Sequence, residues 1–172
     1  LSLRRQRQMC IRDRSEVEHL LDLGHRTVWH IAGPAKSYSA ERRRESWRRT
    51  LESRGVVAPE PLQGDWSAES GYRAGLRLRD DDAVTAVFAA NDQMAIGVVR
   101  AFREAGRDIP RDVSVVGFDG LPDAAQLWPP LTTVQQHPEK VGALAVDALL
   151  AELDGGERIQ TPLVGTELVV RE

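Results

Sequence analysis

The 172-residue sequence is poor in the groups that most often carry cross-links or chemistry. It has one cysteine, Cys10, which excludes a disulfide framework and a cysteine-rich zinc site and fits a reducing compartment. No apolar run approaches 18 residues, so a membrane-spanning helix is excluded. The four histidines, His19, His25, His30 and His137, show no metal-ligand spacing. There is no GxGxxG after a strand and no GxSxG elbow. Gly33-Pro34-Ala35-Lys36-Ser37 ends like a phosphate loop but lacks its length and second glycine. Asp119 and Asp123 could pair as carboxylates, yet nothing supplies a nucleophile beside them. A catalytic reading has little to stand on.

Positive charge is also in short supply. With 23 Lys+Arg against 26 Asp+Glu the formal charge is −3, the wrong sign for a surface built to neutralise nucleic-acid phosphates. Lysine occurs only as Lys36 and Lys140, so the basic residues are nearly all arginine. The average hides an asymmetry. Residues 1–14 carry five arginines against one aspartate, a net of +4, which leaves −7 on residues 15–172. This head could be a nucleic-acid arm, a transit segment or a non-native extension. Its lack of apolar periodicity leads us to expect a non-native or disordered segment. The chain begins at Leu1 without an initiator methionine and is expected to belong to something longer.

Residues 15–172 alternate helix-like and strand-like segments. Ser15 opens a helix carrying Val17, Leu20 and Leu21, with Gly24 as its stop. Strand-like runs are expected at 27–32, 61–64, 84–90 and 113–118. Between them lie helices at 39–54, with Ala40, Arg44, Trp47 and Leu51 on one stripe, and from Ser67, with Tyr72 and Leu76 on one side. A further helix, capped by Asp92 and closed by Gly106, is expected to turn Ala95, Val99, Phe102 and Ala105 inward. Continuous apolar strands indicate a parallel sheet covered on both faces. The expected fold class is α/β, a doubly wound parallel sheet. After residue 120, Trp128-Pro129-Pro130-Leu131 breaks regular structure and 132–136 reads as extended. Pro138 starts a helix with Val141, Leu144, Ala145, Ala148, Leu149 and Leu153 in phase, ending at Asp154-Gly155-Gly156, and 162–170 forms a last strand.

In an open α/β sheet, ligands bind beyond the carboxyl ends of the strands. That rule selects the loop 33–38, Asp65 and Trp66, Asn91 and Asp92, and Asp119, with Arg43 one turn into the helix after the first loop. A guanidinium, an amide, carboxylates and an indole suit a neutral polyol. Carboxylates and amides bond hydroxyl pairs, and an aromatic face packs on sugar C–H groups. Each residue also has a plainer reading. Asp92 reads first as a helix cap, Asn91 as part of the same turn, Asp119 as a turn residue, Trp66 and Trp47 as core. Arg43 sits in Arg42-Arg43-Arg44, and a charge run is usually a solvated face.

Five blocks then stand in one order: His30-Ile31-Ala32-Gly33-Pro34, Gly64 to Tyr72, Phe88 to Gly97, Val113 to Asp119, and Pro129 to Val134. Together they resemble the sensor domain of the lactose-repressor (LacI/GalR) family of transcription regulators. The resemblance implies a periplasmic-binding-protein-like, Rossmann-like lobe within an incomplete two-lobed core. It implies the C-terminal lobe at 15–134, a crossover and helix at 135–156 that belong to a missing N-terminal lobe, and a returning strand at 157–172. It places Arg43, Asn91 and Asp119 on polar effector contacts, Trp66 on an aromatic that packs on the sugar, and Gln136 on a crossover contact. Ile96, Leu127 and Trp128 fall on a dimer surface. The implied protein is a cytoplasmic homodimer that takes a small-molecule effector, a sugar or a derivative of one. It would reach operator DNA only through a missing helix-turn-helix head, without a membrane, cofactor or metal. Two departures bear on which effector is bound: Gly120 stands where many relatives have a second Asp, and Pro138 where an aromatic or other apolar group often lines the pocket. The alternative is a periplasmic sugar-binding component of a transporter.

Overall fold

The computed structural model describes residues 15–154, 162 and 164–171. The readings made for residues 1–14 and for Gly155 and Gly156 fall outside that range. In chain order the elements are α1 (Ser15–Asp22), β1 (Trp29–Ala32), α2 (Tyr38–Ser53), β2 (Leu62–Gln63), α3 (Ala68–Leu78), β3 (Ala86–Ala89), α4 (Asp92–Glu104) and β4 (Ser114–Val116). A short 3-10 turn (Pro122–Gln126), β5 (Thr133–Gln135), α5 (Pro138–Leu153) and β6 (Glu167–Val169) follow.

The first four strands form one parallel sheet in the order β2-β1-β3-β4. The strand order reverses between β1 and β3, the place where doubly wound sheets open a crevice. Alternating side chains supply the two faces. Val28, Ala86, Phe88, Val116 and Phe118 meet Val17, Leu20, Trp47 and Leu51 from α1 and α2. Ile31, Val87, Ala89 and Val115 meet Ala74, Leu78, Met94, Val98 and Phe102 from α3 and α4. His30 belongs to the first face, stacked between Trp47 and Phe88 with centroids 5.1 and 4.9 Å away. Its Nδ1 lies 3.0 Å from the Phe88 carbonyl, and burial pushes its pKa down to about 3. Trp47 is fully buried and donates Nε1–H to the Val28 carbonyl at 2.8 Å, so its core reading holds.

The helices α3 and α4 approach closely because Gly97 lacks a side chain. A methyl there would strike the backbone of Ala68 and Tyr72. The face of α3 that meets the core is therefore Ser70, Gly71, Ala74, Gly75 and Leu78, while Tyr72 and Leu76 are only half-buried. This corrects the Tyr72–Leu76 stripe. On α4 the buried residues besides Asp92 are Met94, Ala95, Gly97, Val98, Ala101 and Phe102, whereas Val99 is half-buried and Ala105 exposed. On α2, Arg43 rather than Arg44 lies on the buried stripe with Ala40, Ser46, Trp47, Thr50 and Leu51. The strands are also shorter than the apolar runs, because flanking residues such as Val84 and Val113 are buried without lying in the ladder.

Beyond β4 the chain leaves this sheet. Thr132 and Gln135 make isolated parallel bridges to Val116 and Asp119, and β5 pairs antiparallel with β6. The helix α5 has no buried residue, and Val141, Val146, Leu149, Leu150 and Leu153 are exposed. No helix among the described residues is long and apolar enough to cross a membrane.

Candidate functional site

The carboxyl edge of the sheet gathers the expected residues. Ser37 caps α2 by accepting from the Ala40 N–H at 3.4 Å, which sets the helix phase that turns Arg43 inward. Arg43 is buried, so its solvated-face reading fails. Its Nη1 donates to the Ala90 carbonyl at 2.5 Å, and its Nη2 reaches Asp119 Oδ1 at 3.4 Å. The guanidinium carbon lies over two rings, 3.7 Å from the Phe118 centroid and 5.6 Å from that of Trp66. Cations favour the negative face of a ring, and stacking leaves the in-plane donors free to fork.

Asp119 follows β4 with φ +119°, and Gly120 with φ +74°. The Asp119 N–H donates to the Val134 carbonyl at 3.1 Å, and its own carbonyl accepts from the Gln136 N–H at 3.3 Å. Gln136 Nε2 donates to Asp119 Oδ1 at 2.6 Å. Burial raises the Asp119 pKa from its ordinary value, while Arg43 and the Gln136 amide oppose that rise. Both side-chain bonds fall on Oδ1, and among the described residues Oδ2 has no partner. One oxygen is fixed and the other is open to a further donor. Gly120 has no room for a second carboxylate, since a side chain there would meet Gln135.

Asn91 and Trp66 form the other half. Asn91 is the N-cap of α4: its Oδ1 accepts from the Met94 N–H at 2.9 Å, while its Nδ2 donates to the Trp66 carbonyl at 3.1 Å. The cap was expected at Asp92, which is instead the first helical residue and is fully buried. Its carboxylate faces Thr133 and Leu121, partners too distant in sequence for a local cap pattern to show. Trp66 has φ +76°, a conformation rare for a bulky residue and one that persists only when its surroundings dictate it. Asp65 Oδ1 accepts from the Ser67 N–H at 3.0 Å and the Ser67 hydroxyl at 2.5 Å, so a tight turn closes around Trp66. Those bonds hold the Asp65 pKa down at about 2. The indole then lies across Gly33, where even a methyl group would collide with the ring. Trp66 is half-buried and packs on the core edge, so its plainer reading as core holds in part.

The three residues that the resemblance puts on a dimer surface lie elsewhere. Ile96 is half-buried on α4, Leu127 packs partly on the core, and Trp128 is 82% exposed. Val99 of α4 lines a shallow cleft with Pro129 and Pro130, so α4 and the 127–130 segment are neighbours. Phe118 was missed as a site residue, and Gly33 was selected only as part of the loop 33–38. The Gly33-Pro34 stop carried a signal for one, whereas nothing local marks Phe118. No group of three or more His, Cys, Asp or Glu that could hold a metal occurs among the described residues.

Residues 17–172 match the periplasmic binding protein-like domain family. The chain belongs to that family. Similar curated proteins are transcription regulators, in line with the LacI/GalR resemblance. The lactose operon repressor of Escherichia coli (strain K12) is 39% identical over 158 residues, 91% of this chain and 44% of that protein. The HTH-type transcriptional repressor MelR of Bacillus subtilis (strain 168) is 36% identical over 92% of this chain and 49% of that protein. The chain thus spans about half the length of these relatives. Among solved structures, the lac repressor dimer bound to operator and the anti-inducer ONPF superposes with a TM-score of 0.88 at 37% identity, covering 95% of this chain and 57% of that one. A LacI-family regulatory protein from Chloroflexus aggregans gives a TM-score of 0.90 at 30% identity, covering 95% and 60%. These relatives do not favour the transport alternative.

Proposed function

We propose that this periplasmic-binding-protein-like domain is the effector-sensing and dimerising part of a cytoplasmic LacI-type transcription regulator, with no catalytic role. The observation that carries the reading is the Arg43–Asp119–Gln136 arrangement beside Trp66: one carboxylate oxygen anchored, one open, and an indole face adjacent. That set fits a neutral sugar, for which hydroxyl pairs bond the polar groups and C–H faces the ring. Asn91 contributes what its amide retains after capping α4 and holding Trp66.

Residues 15–134 are proposed as the C-terminal lobe. The segment 135–156, including α5, and the strand within 157–172 are proposed to complete a second lobe with residues outside this chain. The exposed apolar face of α5 supports that division. Ile96, Leu127 and Trp128 are proposed as the face between two copies. Effector binding between the lobes favours one lobe angle and shifts a population already present in the dimer. Operator contact belongs to a head beyond these residues, so this chain alone binds sugar weakly and operator DNA not at all.

The test is calorimetric titration of the full-length regulator with lactose, maltose, galactose and glucose, before and after Asp119→Ala. Saturable binding of at least one sugar, lost in the variant while operator binding persists, is expected. Equal sugar affinity in the variant would overturn the assignment of Asp119, and binding of none of the four would count against a neutral-sugar effector.

A further inference from the structure

Behind the rim lies a buried polar pair whose hydrogen bonds hold the turn after Asp119, and the Asp92 carboxylate also repels that of Asp119. Asp92 at the start of α4 and Thr133 at the start of β5 are both fully buried. The Thr133 hydroxyl donates to Asp92 Oδ1 at 2.5 Å, and the Leu121 N–H donates to Asp92 Oδ2 at 2.7 Å. Thr133 Oγ1 in turn accepts from the Gly120 N–H at 3.4 Å. The two peptide N–H groups that follow Asp119 are therefore both collected by one buried pair. A buried carboxylate is tolerated only where its oxygens are bonded, and here the bonds all run to the turn or to β5.

The turn they hold is an unusual one. Asp119 and Gly120 take consecutive positive φ angles, and an aspartate at +119° stays there only if its surroundings leave no alternative. On the other side, the Asp119 N–H and carbonyl are bonded to Val134 and Gln136, the residues that follow Thr133. Turn and crossover strand are thus locked together at both ends.

We propose that Asp92 and Thr133 are positioning residues for the effector site, holding the 119–121 turn so that Asp119 Oδ1 meets Arg43 and Gln136 while Oδ2 stays free. The consequence for sugar binding rests on the proposed role of Asp119; the geometric claim does not.

The experiment uses Thr133→Val, which keeps the shape and removes the hydroxyl, against Thr133→Ser, which keeps the hydroxyl. In the 13C,15N-labelled 172-residue chain, NMR reads the Gly120 and Leu121 amides and the titration of the Asp119 carboxyl without any sugar. Thr133→Ser is expected to match the parent, with Asp119 titrating above its ordinary value. Thr133→Val is expected to lose the bonded shift of the Gly120 amide and return Asp119 toward the ordinary range. Asp92→Asn gives a second route, with the Gly120 amide perturbed and the Leu121 bond kept through the remaining carbonyl oxygen. In the full-length regulator, affinity for whichever of the four sugars binds falls about tenfold in Thr133→Val and not in Thr133→Ser. Identical amides and identical Asp119 titration in the Val and Ser variants would overturn the proposal. A turn that responds while sugar affinity does not would support the positioning and remove Asp119 from the effector contacts.

Discussion

The guanidinium carbon of Arg43 stands 3.7 Å from the centre of the Phe118 ring. This contact separates Arg43 from its two neighbours. Arg42 pairs with Glu45 at 2.9 Å and Arg44 with Glu41 at 2.5 Å, both within α2, whereas Arg43 turns under the sheet edge. Lysine keeps the charge but offers neither the plane nor the fork. Arg43→Lys is therefore expected to weaken sugar binding by roughly 10- to 100-fold, the worth of one or two charge-assisted hydrogen bonds. Titration calorimetry on the full-length regulator measures it, and an unchanged dissociation constant would contradict the geometry.

Trp66 depends on a missing methyl group. Its indole occupies the space a side chain at Gly33 would need. Gly33→Ala should displace the ring from the cleft and lower sugar affinity while leaving the melting temperature nearly unchanged, because the displaced group lies at the rim. Selective excitation of tryptophan should show a red-shifted component. Emission and affinity both equal to the parent's would refute the placement.

His30 predicts a pH dependence. Its pKa falls from 6.5 to about 3 in the folded chain, so the native state holds it neutral while the unfolded chain takes up a proton below 6.5. This contribution to stability is complete above pH 6.5 and lost progressively as the pH falls toward 3. Unfolding in that window should take up about one proton from this group, and His30→Phe should remove that slope. Urea denaturation across the window compares the two proteins. Parallel curves would show that the ring is not held neutral.

The seam between α3 and α4 is a packing limit. A methyl at Gly97 meets the Ala68 and Tyr72 backbone, which cannot swing aside as a side chain can. Gly97→Ala should destabilise the chain by about 1–3 kcal/mol despite the better helix propensity of alanine. Chemical denaturation decides this, with a gain in stability as the opposing result.

The helices, the parallel sheet and its two faces were legible because apolar runs and caps are local signals. What was misread depended on distance or phase. Asp92 looked like a cap because it precedes an apolar helix, yet its partner Thr133 lies 41 residues away. Arg44 was placed on the buried stripe because it stands four residues after Ala40, and the helix instead presents Arg43. The positions of Asn91, Asp119 and Trp66 at the carboxyl edge of the sheet were legible from strand ends alone. Arg43 and Gln136 needed the family resemblance, since nothing local says that the one turns inward or that the other reaches Asp119.

Asn91 closes a helix with one end of its amide and steadies the tryptophan with the other. A residue with two employers cannot be retrained for a third without notice to both. Altering the proposed effector preference is therefore expected to proceed through exposed positions such as Pro138, whose loss would unfasten less than that of Asn91 or of Gln136, which anchors Asp119. Asn91, Asp119 and Arg43 would persist as a common grip beneath different selectivities.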